Sequence, residues 1–202
     1  MLNITQLLHI DKKIVLASAS PRRKFLLEQL GFDFEIIPAD IDEHKISAPE
    51  PRDVAKNLAA QKAHAVASKL DFPAYVIAAD TIVVLDGKIL NKPVDAADAK
   101  RMLQTLSGHT HTVYSGVTVL DVPGNRAIED VQATKVTFRK LNEAEIDAYV
   151  ATGSPLDKAG AYGIQDDFGA VFVSHIEGCY YNIVGLPLEM LYTNLSRLVS
   201  NV

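Results

Sequence analysis

Cysteine is almost absent from this 202-residue chain, which has one, Cys179. A single cysteine excludes an internal disulfide framework and fits a reducing compartment, so a cytoplasmic protein is expected. Long apolar runs are missing too. No stretch approaches the roughly 18 apolar residues of a membrane-spanning helix. Met1 to Lys13 lack an apolar core and a small-residue cleavage site, so no secretory signal is expected. Positive charge is in deficit: 20 Lys and Arg stand against 25 Asp and Glu, a net charge of −5. A binder of long nucleic acid needs a basic stripe, which this balance does not suggest. Any local gathering of cations therefore asks for an explanation.

Several nucleotide and catalytic motifs are also lacking. There is no G-x-x-x-x-G-K-[ST] and no G-x-G-x-x-G, so P-loop and Rossmann modes of phosphate binding are unsupported. There is no G-x-S-x-G elbow, no C-x-x-C and no H-E-x-x-H. Repeats, low-complexity tracts and linkers are absent. A chain of this length buries roughly 70% of its unfolded surface without staples. It suits one domain, residues 1–202, or two closely packed lobes around a central cleft.

What is present alternates between strand-like apolar runs and helical patterns, which reads as α/β with a mixed sheet flanked by helices. Ile14 to Ala17 reads as a short buried strand. Ser20 caps a helix with Pro21 at its first position, Gly31 ends it, and its apolar face is Phe25, Leu26 and Leu30. Phe34 to Ile37 is a second strand, and 38–49 is an acidic loop. Pro51 opens a long helix with Val54, Ala55, Leu58, Ala59, Ala63, Val66 and Leu70 facing the core. Tyr75 to Ala79 reads as a strand ending at Asp80-Thr81. Ile82 to Leu90 then forms a hairpin about Asp86-Gly87. Asp95 caps a helix followed by Gly108. Val113 to Leu120 and Val131 to Phe138 form an antiparallel pair across Pro123-Gly124-Asn125. Asn142 and Glu145 bracket a helix start. Asp157 to Gly169 reads as a loop, Val171 to Val173 as a strand, and Pro187 opens the last helix.

The stretch Ser18-Ala19-Ser20-Pro21-Arg22-Arg23-Lys24 breaks a local rule. A helix N-terminus carries about half a positive charge, and cations there are unfavourable. This helix starts with three of them, beside two hydroxyls and unsatisfied backbone N–H groups. That is a poor helix start and a good anion site. The reading assigns the anion to Arg22 and Arg23 and leaves Lys24 to solvent. Lys62 on the long helix and Lys92 after the hairpin would suit a polyphosphate, though each alone reads as a solvated lysine. Asp80 at a strand end is a candidate metal ligand or general base, and equally a turn-starting aspartate. Asp40, Asp42 and Glu43 add carboxylates that alone would be a solvated acidic loop. Cations with at least two carboxylates together suggest metal-assisted phosphoryl chemistry. His109 and His111 read as strand surface rather than a zinc site, Cys179 as a small buried hydrophobe, and Tyr162 as a packed tyrosine.

Leu16-Ala17-Ser18-Ala19-Ser20-Pro21-Arg22-Arg23, Ala79-Asp80-Thr81, Leu90-Asn91-Lys92-Pro93, Leu106-Ser107-Gly108 and Val184-Gly185-Leu186-Pro187 together resemble, in order, the blocks of the Maf family of nucleotide pyrophosphatases. The resemblance covers nearly the whole chain. It implies a curved mixed sheet of the inosine-triphosphatase-like type, a divalent cation (Mg²⁺ or Mn²⁺) and often a homodimer. Asp157-Lys158-Ala159-Gly160-Ala161-Tyr162-Gly163-Ile164-Gln165 looks like the branch acting on dTTP and UTP. By the same resemblance Asp80 is the proton acceptor, and Glu43, Lys62 and Lys92 take the other catalytic positions. Arg22, Thr81 and Gln165 set substrate choice, and Ser18 and Arg23 bind phosphate. Glu43 and Asp80 would share the metal. Asp166 and Asp167 bear on fine specificity, where they would repel phosphate or hold a second metal.

The expected reaction is attack of water on the α-phosphorus, giving monophosphate and pyrophosphate. Two other readings use the same anion site. One is a nucleotide-binding regulator of cell division with little turnover. The other is a monophosphate phosphatase releasing orthophosphate.

Overall fold

In the computed structural model, residues 4–43, 46, 48–165 and 168–200 are described. The elements run α1 (Ile4–Leu7), β1 (Lys13–Leu16), α2 (Pro21–Gln29), β2 (Phe34–Ile36), α3 (Pro51–Ala67), β3 (Ala74–Leu85), β4 (Lys88–Leu90), α4 (Ala96–Leu106), β5 (Thr110–Val122), β6 (Ala127–Phe138), α5 (Glu143–Ala151), β7 (Val173–Glu177), α6 (Tyr180–Val184) and α7 (Leu188–Val199). They build a seven-strand mixed sheet of order β2-β1-β3-β5-β6-β7, with β4 on β3. Helices flank it, as the alternating pattern implies.

The chain divides into two compact units: Met1–Asp80 with Ser115–Gln132 and Gly185–Val202, and Thr81–Tyr114 with Ala133–Val184. In the first, β1 pairs in parallel with β2 and with β3. One core cluster joins Val15 and Ala17 to Ala63 and Val66 of α3, to Ala74, Val76 and Ala78 of β3, and to Leu120 of β5. Small residues let helix and sheet approach closely. A Cβ on Gly116 would lie 2.2 Å from the Ala55 carbonyl oxygen, so only glycine fits where α3 crosses β5. In the second unit, β4 folds back on β3 about Asp86-Gly87, both at positive φ. Its core is aromatic: Phe138 packs on Tyr162 and Phe172, and Tyr149 on Phe172.

Caps fall where the residue types place them. Ser20 accepts the Arg23 N–H, Asp95 accepts the Asp98 N–H, and Asn142 with Glu145 forms a reciprocal capping box.

Four local expectations are corrected. On α2 the buried pair is Leu26 and Leu27, while Phe25 is exposed. The inward stripe runs 23, 26, 27, 30, which turns Phe25 to water and puts Arg23 on the apolar side. β3 does not stop at Asp80-Thr81. It continues to Leu85 with every residue but Thr81 buried, because the β-branched run on both sides outweighs one turn-former. Gly169–Phe172 is a 3₁₀ turn and the strand begins at Val173; another such turn, Ala159–Ala161, sits inside the expected loop. Cys179 is half-buried rather than sealed in the core. The short helices α1 and α6 have too few residues to carry a periodic signal.

Candidate active site

The first unit assembles its charged groups at the carboxyl end of β1. That strand pairs with β3 as far as Leu16 and Ile77, and the Ala17 N–H still reaches the Ile77 carbonyl at 2.8 Å. β4 joins β3 only from Val83. Asp80 lies in the interval between these pairings. It thus projects from β3 past the end of a parallel neighbour, the place where α/β sheets bind ligands, although β3 itself continues.

Three side chains close on one point. Lys62 Nζ donates to Asp80 Oδ1 at 2.5 Å and lies 2.6 Å from Glu43 Oε1. Lys62 is only 9% exposed and Asp80 8%, whereas the Glu43 side chain keeps about half its surface (53%) in water. The expectation that Lys62 alone is a solvated lysine is therefore wrong. A signal for burial was present: Lys62 falls four residues after Leu58 and four before Val66, on the core stripe of α3. Ala59 and Ala63 beside it leave room for the stem. A lysine kept in that position would cost several kcal/mol without a partner, and Asp80 supplies one.

Arg23 is fixed from two directions. Its Nε donates to the Gly185 carbonyl at 2.9 Å and its Nη1 to Ser18 Oγ at 3.2 Å. Ser18 Oγ also accepts the Ser20 N–H, 3.2 Å away, so one buried hydroxyl ties the helix start to the guanidinium. Burial pulls the Arg23 guanidinium below its ordinary value. Attraction to Asp80 and Glu43 opposes this, and Arg22 adds to it. Arg23 thus belongs to one electrostatic cluster with Asp80, Glu43 and Arg22. Lys24 is exposed and sits 3.7 Å from Glu28, one helical turn on, as expected of a surface lysine.

Gly185 was not anticipated as part of this cluster. Its φ of 125° lies where side chains are rarely accommodated, and that conformation presents its carbonyl to Arg23. The glycine in Val184-Gly185-Leu186-Pro187 was the available signal, but nothing near it in sequence linked it to an arginine.

The structure thus brings together Ser18, Arg22, Arg23, Glu43, Lys62 and Asp80. Thr81, Lys92 and Gln165 belong to the second unit. Thr81 is half-buried, the next residue along β3 after Asp80; Lys92 is exposed just past β4; Gln165 is exposed after a buried run, 160–164. The Gly160 N–H donates to the Asn91 carbonyl at 3.2 Å, linking the segments that carry Gln165 and Lys92. Asp166 and Asp167 lie outside the described residues.

The donor set can be tested against a divalent cation. Asp80 and Glu43 direct carboxylate oxygens to one cationic position, the one Lys62 Nζ takes. Hard oxygen donors suit Mg²⁺ or Mn²⁺, and two carboxylates leave room for phosphate oxygens and water. Among the described residues no group of three His, Cys, Asp or Glu is placed to hold a metal. The expectation that His111 lies on a strand surface is corrected: it is 2% exposed and packs edge-on against Tyr162 and Phe138, whereas His109 is exposed.

An ammonium and a guanidinium thus stand among carboxylates, at a capped helix start beyond a strand end, and such groups suit an anion. Residues 13–198 match the family profile described as Maf-like protein, and the chain belongs to the Maf family. It is similar to dTTP/UTP pyrophosphatase of Bacillus cytotoxicus, 49% identical over 92% of this chain and 95% of that one. The dTTP/UTP pyrophosphatase of Bacillus cereus strain ATCC 10987 is 48% identical over 92% and 90%. The fold is shared with the Ham1 protein of Staphylococcus aureus (TM-score 0.53, 17% identity, 90% of this chain and 97% of that one). A HAM1 protein from Coxiella burnetii aligns at TM-score 0.53 and 14% identity, over 95% and 100%. The expected inosine-triphosphatase-like architecture is therefore present.

Proposed function

We propose that this protein hydrolyses dTTP and UTP, together with other or modified pyrimidine nucleotides, to the monophosphate and pyrophosphate. The observation that carries the reading is the buried Lys62–Asp80 pair beside Arg23, in a chain about half identical to proteins named for that activity.

Asp80 accepts the proton of the attacking water as its oxygen bonds to the α-phosphorus. The bond from that phosphorus to the bridging oxygen breaks and pyrophosphate departs. Lys62, Lys92 and Arg23 hold the β- and γ-phosphates and stabilise the charge that grows on the leaving group. Ser18 hydrogen-bonds phosphate and keeps Arg23 aimed. Arg22 and Thr81 contribute to substrate choice, and Gln165 hydrogen-bonds the O4/N3 edge of uracil or thymine. Glu43 and Asp80 would hold Mg²⁺ or Mn²⁺ when it enters with the nucleotide, and the cation would supply positive charge to the phosphate oxygens. Residues 1–202 act as one catalytic domain, in a cytoplasmic homodimer. Among the described residues no helix is long and apolar enough to cross a membrane.

The test is product analysis with purified protein, Mg²⁺ or Mn²⁺ and a panel of triphosphates. Metal-dependent monophosphate plus pyrophosphate, fastest with dTTP or UTP, is expected. Intact triphosphate bound stoichiometrically would favour a nucleotide-binding regulator of division, and orthophosphate alone would mean attack at another phosphorus. Asp80→Asn should lower kcat by at least about a hundredfold while staying folded; full turnover in that variant would remove the base from this scheme.

A further inference from the structure

Behind Gln165 lies a buried hydrogen bond that no step of the proposed reaction uses. The run Gly160–Ile164 is buried and Gln165 is the first exposed residue after it. At the centre of the run is Tyr162, 5% exposed, so its ring is not available to stack on a base. The ring meets Phe138 and His111 edge-on, at centroid distances of 4.8 and 5.4 Å. His111 Nε2 is 2.8 Å from Tyr162 Oη, and His111 is itself 2% exposed. Two further bonds hold the run: the Gly163 N–H donates to Tyr149 Oη at 3.2 Å, and the Gly160 N–H to the Asn91 carbonyl.

His111 is an expensive choice for this position. Its Nδ1 is buried with no partner among the described residues. Burial pulls the imidazole down to about 4, so the ring is neutral near pH 7. Nε2 and Tyr162 Oη share one hydrogen bond in which either can be the donor, depending on the ring tautomer. An apolar side chain would fill the same space without the desolvation cost. A buried polar pair that gains little stability fixes a conformation instead. The group it fixes stands three residues before Gln165.

We propose that His111, acting through Tyr162, is a positioning residue for base selection: the buried His111–Tyr162 hydrogen bond sets the reach of Gln165 to the base edge. This rests on the reading of Gln165 as the residue that reads the base. Removing the bond while keeping the rings lets the segment shift without unfolding it. Recognition of the base then suffers and handling of the phosphates does not.

The experiment measures kcat/KM for dTTP and UTP against dCTP and CTP, which differ at the edge Gln165 reads, in Gln165→Ala, Tyr162→Phe, His111→Leu and His111→Gln. Tyr162→Phe and His111→Leu should each narrow the thymine/uracil preference about tenfold, through KM for the preferred substrates with kcat within about twofold. The double variant should be no worse than either single one. His111→Gln, whose amide can either donate to Oη or accept from it, should recover most of the preference. Tyr162→Phe removes one oxygen and keeps both rings, so a folding failure of His111→Leu leaves the test standing. If Gln165→Ala abolishes the preference while Tyr162→Phe leaves it intact, or lowers every substrate in parallel, the positioning role is wrong. If Gln165→Ala itself changes no preference, the base-reading assignment fails, and this inference with it.

Discussion

Replacing Lys62 by methionine keeps the aliphatic stem on α3 and deletes the ammonium that Asp80 and Glu43 share. Glu43 is half in water and loses little, since exposed ion pairs contribute only about 0–1 kcal/mol. Asp80 is different: it is 8% exposed and its carboxylate faces Lys62 at 2.5 Å. Breaking such a pair typically costs about 3–5 kcal/mol, because one buried charge remains. Arg23 attracts Asp80 and offsets part of this, which places the expected loss near the lower end, about 3 kcal/mol. For about 200 residues that lowers Tm by roughly 9 °C. Urea titration at neutral pH measures it directly, with the slope unchanged if only stability is affected. Adding Asp80→Asn removes the stranded charge, so the double variant should be no less stable than Lys62→Met alone, a coupling of about 2 kcal/mol. Pyrophosphate release by Lys62→Met should fall at least about a hundredfold. A Lys62→Met protein within about 0.5 kcal/mol of the parent, with effects additive to those of Asp80→Asn, would refute the buried pair and the cost assigned to it.

Two further outcomes are expected. Gly116→Ala drives a Cβ to 2.2 Å from the Ala55 carbonyl oxygen, and backbone cannot yield as a flexible side chain would; a loss of about 3 kcal/mol, read as a lowered Tm, is expected. His111 gives a pH dependence of known sign: unfolded, it takes up a proton near 6.5, but folded only near 4. In that window the unfolded chain binds more protons, so stability falls as pH drops from 6.5 to 4, by about 3 kcal/mol in all. His111→Gln should lack that part of the slope in urea titrations across the range, and an unchanged slope would contradict burial of the neutral ring.

The alternating pattern settled the α/β class, and local chemistry placed most boundaries. Ser20, Asp95 and Asn142 cap where they do because their side chains reach N–H groups three residues on, a relation contained within four residues of sequence. The anomaly of cations at the start of α2 was legible for the same reason. Elsewhere local rules misled. Asp80 reads as a turn because its neighbours in sequence are visible and its neighbours in the sheet are not. β4 and β5, which extend β3 beyond it, lie farther along the chain. Phe25 was assigned inward for its apolarity, whereas the phase of α2 is set by the surface it packs on.

The sequence by itself determined which residues could do phosphate chemistry and how each element begins, because residue type and short spacing decide both. The tertiary structure alone decided their partners. Lys62 and Asp80 are 18 residues apart, Arg23 and Gly185 are 162 apart, and His111 and Tyr162 are 51 apart. No periodicity or motif encodes such pairings. They exist because, within each unit, strands, helices and loops distant in sequence pack together, where low dielectric makes a buried charge or polar group demand a partner.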